Sequence, residues 1–510
     1  MKWLSKVLNV AALLSLCTLF LSASGDPRLD RAKELFRDGA EDTCRQAARI
    51  CREVNTVEAA EIMLDVLDST GFGPSLPAGH YRDIVWEEIV ALTDPYAKAR
   101  VELELKKNKS NPWTRAWCAQ LLGIYGDQDF ALSLIKALKD KDAMVQAAAA
   151  EALGRLPLPV DGAASVKAIK ALTKVSHGKD AMSRANAWIA MAKLNPKANR
   201  IAYLAATEGR AADKDGGARC ALLGALKEVF PLDVEAVSAR ALSDEDWRVR
   251  LQAIEHLGTT ESKTAIDRLM ECFDDPRPVL GRSAVTHLRA LTGQVHREPQ
   301  AWQAWWAEKR EGFKFPEGDA DVEAPTSEGL TVAVYNGIRV DSDHVAFLID
   351  KSSAMAENLS SQGMSKEMFA QKQLEEVLGK LPEGVNFNVY TYELDFEVFS
   401  EKEPAEVGKK SIRKALEFVE DQSLRGSKDI WKILEHVVND PEIDTIYLLS
   451  SGEPDTGKYV HWNRVTEHLR DINRFQKVKV HTIAYSDSQW HRDQLEKIAL
   501  ASGGEFKWFD

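Results

Sequence analysis

The chain has 510 residues, about three times the usual ~150 of a single domain, so two or three domains are expected. Hydrophobic residues make up 45% and charged residues 28%, which supports large cores and excludes global disorder or a collagen-like chain. The net charge of -12 repels phosphate backbones and anionic lipid, which removes nucleic acid and membrane surfaces as default partners. Six cysteines without a CxxC pair exclude a disulfide scaffold and a Cys-type zinc site.

Met1-Lys2-Trp3-Leu4-Ser5-Lys6 is a short basic leader, and Val7 to Leu21 is apolar and uncharged. Small residues Ser22 to Gly25 follow, then a polar chain begins at Asp26. This order predicts a signal peptide over residues 1–24 and export to a periplasmic, cell-surface or secreted location. The apolar run is short for a membrane span, and after cleavage nothing else reaches the ~18 apolar residues one needs. Lipidation at Cys17 is disfavoured because Leu16 stands where a small residue belongs. Cys44 and Cys51, seven apart on a helical stretch, lie about 10 Å apart, too far to bond each other. Buried thiols are the expectation for them, with their redox state left open.

Residues 27–110 read as divergent helical repeats with an N-terminal cap. From 111 to 308 a pattern recurs: Thr114/Cys118/Leu122, Val145/Ala149/Leu153, Ala218/Leu222/Leu226, Val249/Ala253/Leu257 and Leu280/Ala284/Leu288. Several copies stand 31 residues apart, with one at Ser183/Ala187/Met191 between them. Each copy is the stripe of an amphipathic helix, with Ala where helices approach closely. Asp142 and Asp246 precede their helices where an N-cap acceptor belongs. A second apolar stretch separates the copies, as at Ala131 to Leu138. Two helices per ~31 residues predict an α-solenoid. The run from Asp246 to Gly258 resembles HEAT repeats, which implies an interaction scaffold. Trp302, Trp305 and Trp306 fall just past the last copy and are expected to close its open end. Residues 309–342 then read as a linker, polar over 309–328, and a hairpin around Asn336-Gly337.

The pattern changes class after His344. Apolar runs at Val345–Ile349, Val385–Tyr392, Thr445–Leu449 and Val478–Tyr485 alternate with amphipathic helices at Lys366–Leu378, Ile412–Val419, Ile430–Val438, Val465–Phe475 and Gln494–Leu500. Such alternation predicts an α/β, Rossmann-like domain over 343–510 with a mostly parallel sheet. Ligands of such sheets sit at the carboxyl ends of the strands, here Asp350 to Met355 and Ser450 to Pro454.

The strand ending in Asp350-Lys351-Ser352-Ser353-Ala354-Met355, the later Leu449 to Pro454 and the closing Leu500 to Phe506 resemble a von Willebrand factor A domain. The resemblance implies a divalent-cation site built from D-x-S-x-S, a threonine on a second loop and the Asp of a T-D-G turn. Asp350 and Ser352 match that pattern. Ala354 stands at the second serine, Ser451 at the Asp, and Lys428 aligns on the threonine. These departures predict a vestigial metal site at Asp350, Ser352, Ala354, Lys428 and Ser451, with no cofactor; any surviving Mg²⁺ would fall to Asp350 and Ser352. Two placements of Lys428 stay open: an ion pair with Asp350, or a loop shifted by one residue that puts Ser427 there and Lys428 in solvent. Lys351, Ser353, Met355, Asp429 and Glu453 are the expected partner-facing residues.

Gly452 to Tyr459 almost spells a P-loop, but Tyr459 lacks the Mg²⁺ hydroxyl and Pro454 lacks an N–H. The 11 histidines, His461 and His468 among them, form no metal-binding motif. The expected function is a non-enzymatic, exported scaffold that binds protein partners without metal. Metal-dependent adhesion through a rearranged site is the alternative, and a serine hydrolase using Ser352 or Ser451 the remote one.

Overall fold

The structure, a computed structural model, describes residues 26–68, 78–107, 111–296, 298–316 and 333–510. The expected signal peptide and most of the linker lie outside the described residues. The chain divides between Tyr125 and Gly126 into two compact units.

The first unit contains helices α1 (Pro27–Asp38), α2 (Glu41–Val54), α3 (Val57–Asp68), α4 (Ala78–Ile89), α5 (Pro95–Lys107) and α6 (Pro112–Tyr125). Asp26 accepts the Arg28 N–H and Pro27 opens α1, an N-cap followed by a residue with no N–H left to satisfy. Cys44 and Cys51 are free thiols buried on the inner face of α2, and burial raises both above the usual thiol range.

In the second unit a solenoid of helices runs through α7 (Ala131–Ala137), α8 (Ala143–Arg155), α9 (Ala163–Val175), α10 (Ala181–Leu194), α11 (Pro196–Thr207) and α12 (Gly216–Val229). It ends with α13 (Val234–Ala241), α14 (Trp247–Leu257), α15 (Lys263–Met270), α16 (Pro278–Thr292) and α17 (Pro299–Lys309). The stripe residues on α8, α10, α12, α14 and α16 are all 1% exposed or less, so the repeat register read from sequence is the packing register. Asp142 and Asp246 accept the N–H groups of Met144 and Arg248 as N-caps. Trp302 and Trp306 of α17 are buried against the last repeat, and the Trp306 indole donates to Asp267.

A second repeating device went unread in the sequence. Arg184, Arg219 and Arg250 each follow the first stripe residue and pair with Asp213, Asp244 and Asp275 at 2.6, 2.6 and 2.7 Å. Their guanidinium groups also donate to the carbonyls of Lys179, Asp213 and Asp244, tying each repeat to the loop before it.

The C-terminal part opens with a hairpin, β1 (Val334–Tyr335) and β2 (Ile338–Arg339). Asn336 and Gly337 have φ of 49° and 80°, the pair of positive angles a tight I′ turn requires. Grouped with the linker by sequence, the hairpin packs instead into the α/β core: Tyr335 and Ile338 are fully buried beside Phe347 and Tyr447. The sheet contains β3 (His344–Asp350), β6 (Asn386–Tyr392), β7 (Phe396–Val398), β8 (Ala405–Glu406), β9 (Thr445–Ser450), β10 (Lys479–Tyr485) and β11 (Phe506–Phe509), while β4 (Asn358–Leu359) and β5 (Met364–Ser365) form a small hairpin. Its order is β11-β10-β9-β3-β6-β7, parallel except for β7 and β8, which run antiparallel on β6. The helices are α18 (Lys366–Leu378), α19 (Lys409–Glu420), α20 (Ile430–Val438), α21 (Trp462–Gln476) and α22 (Gln489–Ala501). Strand order reverses between β3 and β9, which places the switch-point crevice at Asp350 and Ser451.

The solenoid repeats and the α/β domain share one compact unit rather than separating at the linker. Phe475 at the end of α21 is buried in the solenoid core with Ala218, Leu222, Val249 and Ala253. A Cβ on Gly217 would lie 3.0 Å from the Phe475 carbonyl oxygen, a tight contact that glycine relieves. Trp247 donates to the Pro441 carbonyl at 3.1 Å, Arg248 to Gln476 at 2.7 Å, and Arg277 lies over the Trp247 ring while pairing with Asp444. Ala253→Leu is therefore expected to cost roughly 1–3 kcal/mol by overpacking both the stripe and Phe475. A melting temperature equal to that of the parent chain would refute this register.

Candidate functional site

Asp350 ends β3, is fully buried, and is held from two sides. The Ser352 N–H donates to its Oδ1 at 2.7 Å, while the Ser451 N–H and hydroxyl donate to its Oδ2 at 2.9 and 2.6 Å. Lys428, on the loop that precedes α20, enters the same crevice and is only 4% exposed. Its ammonium nitrogen lies 3.1 Å from Ser451 Oγ, 3.3 Å from Ser352 Oγ and 3.6 Å from Asp350 Oδ2. The loop is pinned by the Lys428 N–H, which donates to Asp455 at 2.6 Å. Gly452 borders the ammonium, since a Cβ there would lie 3.4 Å from Lys428 Nζ. Burial pushes the Asp350 carboxyl up, but the Lys428 ammonium and the serine hydrogen bonds outweigh it and hold the carboxyl below its usual range.

Asp350, Ser352, Lys428 and Ser451 thus meet at one point, and the placement of Lys428 in solvent is not adopted. Ala354 lies in the 3₁₀ turn Ser353–Ala356, and its methyl group offers no ligand. Of the residues expected to face a partner, Ser353 and Glu453 are exposed, with Ser353 Oγ donating to the Gly426 carbonyl. Two expectations are corrected. Met355 is fully buried in the α/β core, and Lys351 is buried with its ammonium on Glu367 and on the Gln422 carbonyl. Asp429 is half-buried, caps α20 through the Lys432 N–H and is raised to about 6 by burial. Its carboxylate lies where a Cβ on Gly457, at φ 110°, would fall, so the 452–459 loop closes over it.

The P-loop lookalike is a packed loop. Tyr459 is buried and stacks on His468 at 3.8 Å, and Lys458 pairs with Glu435 beneath the Trp431 and Tyr459 rings. At the opposite strand ends, ligand atoms of Asp343, His344 and Asp444 lie within 4.8 Å of one another. Arg277 stands 3.3 Å from Asp444 and Arg282 3.8 Å from Asp343, so two guanidinium groups already balance those carboxylates. This cluster is an ion-pair junction between α16 and the sheet.

The family model for HEAT repeats matches residues 102–192 and 204–289. A stretch of 176 residues, 34% of this chain, is 28% identical to the von Willebrand factor A domain-containing protein 3B of Homo sapiens. The repeats over residues 102–192 and 204–289 are HEAT repeats, and the C-terminal part is similar to a von Willebrand factor A domain. The match spans only 12% of that relative's length. Among solved structures, a von Willebrand factor type A from Catenulispora acidiphila is 16% identical, covering 34% of this chain and 40% of its own, with a TM-score of 0.28. Human deoxyhypusine hydroxylase in complex with glycerol is 16% identical, covering 46% of this chain and 95% of its own, with a TM-score of 0.23. HEAT repeats and von Willebrand factor A domains commonly mediate protein interactions, so their combination suggests a scaffold. No helix among the described residues is long and apolar enough to cross a membrane.

Proposed function

We propose that the chain is an exported, non-enzymatic interaction scaffold whose von Willebrand factor A-like domain engages a protein partner without a divalent cation. The observation that carries this reading is the position of Lys428, whose ammonium stands 3.1–3.6 Å from the oxygens of Ser451, Ser352 and Asp350. A cation at this point would need those same oxygens, and it would be repelled by a fixed positive charge a few ångströms away. The residues do not fit Mg²⁺. Ser352 and Ser451 sit against an ammonium donor, and among the described residues no imidazole is in hydrogen-bond contact with either oxygen, which supports a non-catalytic role.

Mg²⁺ or EDTA is expected to leave the melting temperature of the full chain unchanged, because a ligand stabilises only a state that binds it. An upward shift with millimolar Mg²⁺ would overturn metal independence. Export rests on the basic leader and apolar run before Asp26. N-terminal sequencing of the protein outside the cytoplasm should begin near Gly25, and an intact Met1 there would contradict it.

A further inference from the structure

Helices α7 and α9 lie side by side and leave a groove of about 460 Å³ between them. Leu138 and Val175 contribute an apolar floor, and Lys139, Lys167, Lys170 and Lys174 stand around it. None of these four lysines forms an ion pair among the described residues, although each is exposed and has a long reach. The α9 sequence, AASVKAIKALTKV, holds three lysines and no acidic residue. Lys167, Lys170 and Lys174 follow at spacings of three and four, so they share one helix face and repel each other there.

Several cations elsewhere along the solenoid are matched. Arg155 pairs with Glu151, Lys193 with Glu228, Arg200 with Asp233 and Arg240 with Glu208. Within a chain of net charge -12, four lysines without an ion pair among the described residues thus surround an apolar groove of ligand-pocket size.

We infer that this groove is a docking site for an acidic amphipathic peptide segment of a partner protein, a reading that rests on the scaffold function above. Apolar side chains at helical spacing fill the floor, and flanking carboxylates meet the four ammonium groups. A nucleic acid has no apolar side chain for the floor and is repelled by the acidic remainder of the chain. A flat bilayer does not enter a furrow between two helices. The peptide chemistry alone satisfies both the floor and the rim.

The test uses the full chain and a fluorescein-labelled synthetic peptide with Leu at helical spacing and Glu between, read by polarisation. Binding is expected, and raising the salt should weaken it. The double variant Lys170→Glu/Lys174→Glu should lose at least about tenfold in affinity, with unchanged circular dichroism and melting temperature, since a tenfold loss matches two rim contacts at ~0.7 kcal/mol each. Lys170→Ala/Lys174→Ala provides a second, milder variant. Equal affinity in both variants would overturn the groove, as would equal binding of a peptide with Lys in place of Glu. Competition by polyglutamate or phosphatidylserine vesicles as effective as the unlabelled peptide would also overturn it, because the apolar floor would then play no part. Any of these failures leaves the scaffold reading standing, since that reading rests on the Lys428 crevice and its Mg²⁺ response, which lie on other elements.

Discussion

Lowering the pH from 7 to 5 is expected to destabilise the 126–510 unit by on the order of 5 kcal/mol, before any depressed carboxylate is protonated. Burial is the first cause: it holds His256 and His481 at about 3, His491 at about 4, and His287 and His468 below their usual value. Nearby cations add to it, with Lys479 beside His481, Lys227 and Lys477 beside His256, and Arg464 and Lys458 beside His468. Contacts enforce the neutral ring as well: His481 Nδ1 accepts the Glu505 N–H at 3.0 Å and the ring stacks on Tyr447, while His256 Nδ1 meets Ser238 Oγ at 3.2 Å. These groups are neutral when folded, so the unfolded chain takes up protons first as the pH drops through about 6.5. Stability is therefore full above that value and lost below it, by about 1.4 kcal/mol per pH unit for a histidine held as far down as His256, His481 and His491. Three buried carboxyls work the other way. Asp429 and Asp471 are raised to about 6 and Asp444 is raised too, so the folded state gains protons there and recovers part of the loss. Five histidines against three carboxyls leave a net loss. Urea unfolding at pH 7, 6 and 5 with a constant m-value should show the midpoint falling at each step. A flat midpoint would refute the account. His481→Gln, which keeps an acceptor for Glu505, should reduce the pH slope by about one histidine.

The parts of the fold that repeat locally were legible in the sequence. Val249, Ala253 and Leu257 declare a buried helix face because the period of 3.6 survives in the residue types, and the next copy restates it. Interactions between distant segments were not legible. Phe475 reads as one more apolar residue at the end of an amphipathic helix, yet it is buried in the core of the α12 and α14 repeats. Nothing in its neighbours announces Gly217, which lies more than 200 residues away and clears the path for its carbonyl. The arginine ladder was missed for a related reason: Arg219 is charged, and its burial becomes sensible only once Asp244 of the next repeat is seen to meet it. Within the crevice, residue types went only part of the way. Ala354 and Ser451 each remove a ligand and make a cation near Asp350 reasonable, but a loop shifted by one residue stayed equally open until the fold placed Lys428. Adjacency misled where direction mattered. Lys351 and Met355 flank exposed Ser353 in sequence, but the 3₁₀ turn sends Met355 inward and Lys351, just before it, is buried on Glu367 and the Gln422 carbonyl. Short edge strands such as β7 and β8 carry too few residues to show a period of two.

Lys428→Met is expected to lower the stability of the chain by about 3–5 kcal/mol, the cost of leaving a buried carboxylate without its counter-charge. Methionine matches the lysine stem in length and removes only the charge and its hydrogen bonds, so packing loss is small. Asp350 has no exposed edge through which water could compensate, and its remaining partners, Ser352 and Ser451, are neutral. Asp350→Asn combined with Lys428→Met should recover much of the loss, because both buried charges then disappear together. The cycle separates a true pair from mere crowding: additive single effects would mean that the two side chains do not sense each other. A melting temperature for Lys428→Met within a degree or two of the parent would refute the ammonium as the charge that stabilises this crevice. Lys428→Ser carries the argument one step further. It removes the fixed positive charge and leaves a hydroxyl, together with Asp350, Ser352 and Ser451, facing the vacated point. Hard oxygens around an open position suit Mg²⁺, so this variant, unlike the parent, is expected to melt higher in Mg²⁺ than in EDTA. No response would mean that Ala354 and Ser451 had already removed too many ligands, and that Lys428 fills the site without being what closes it to metal.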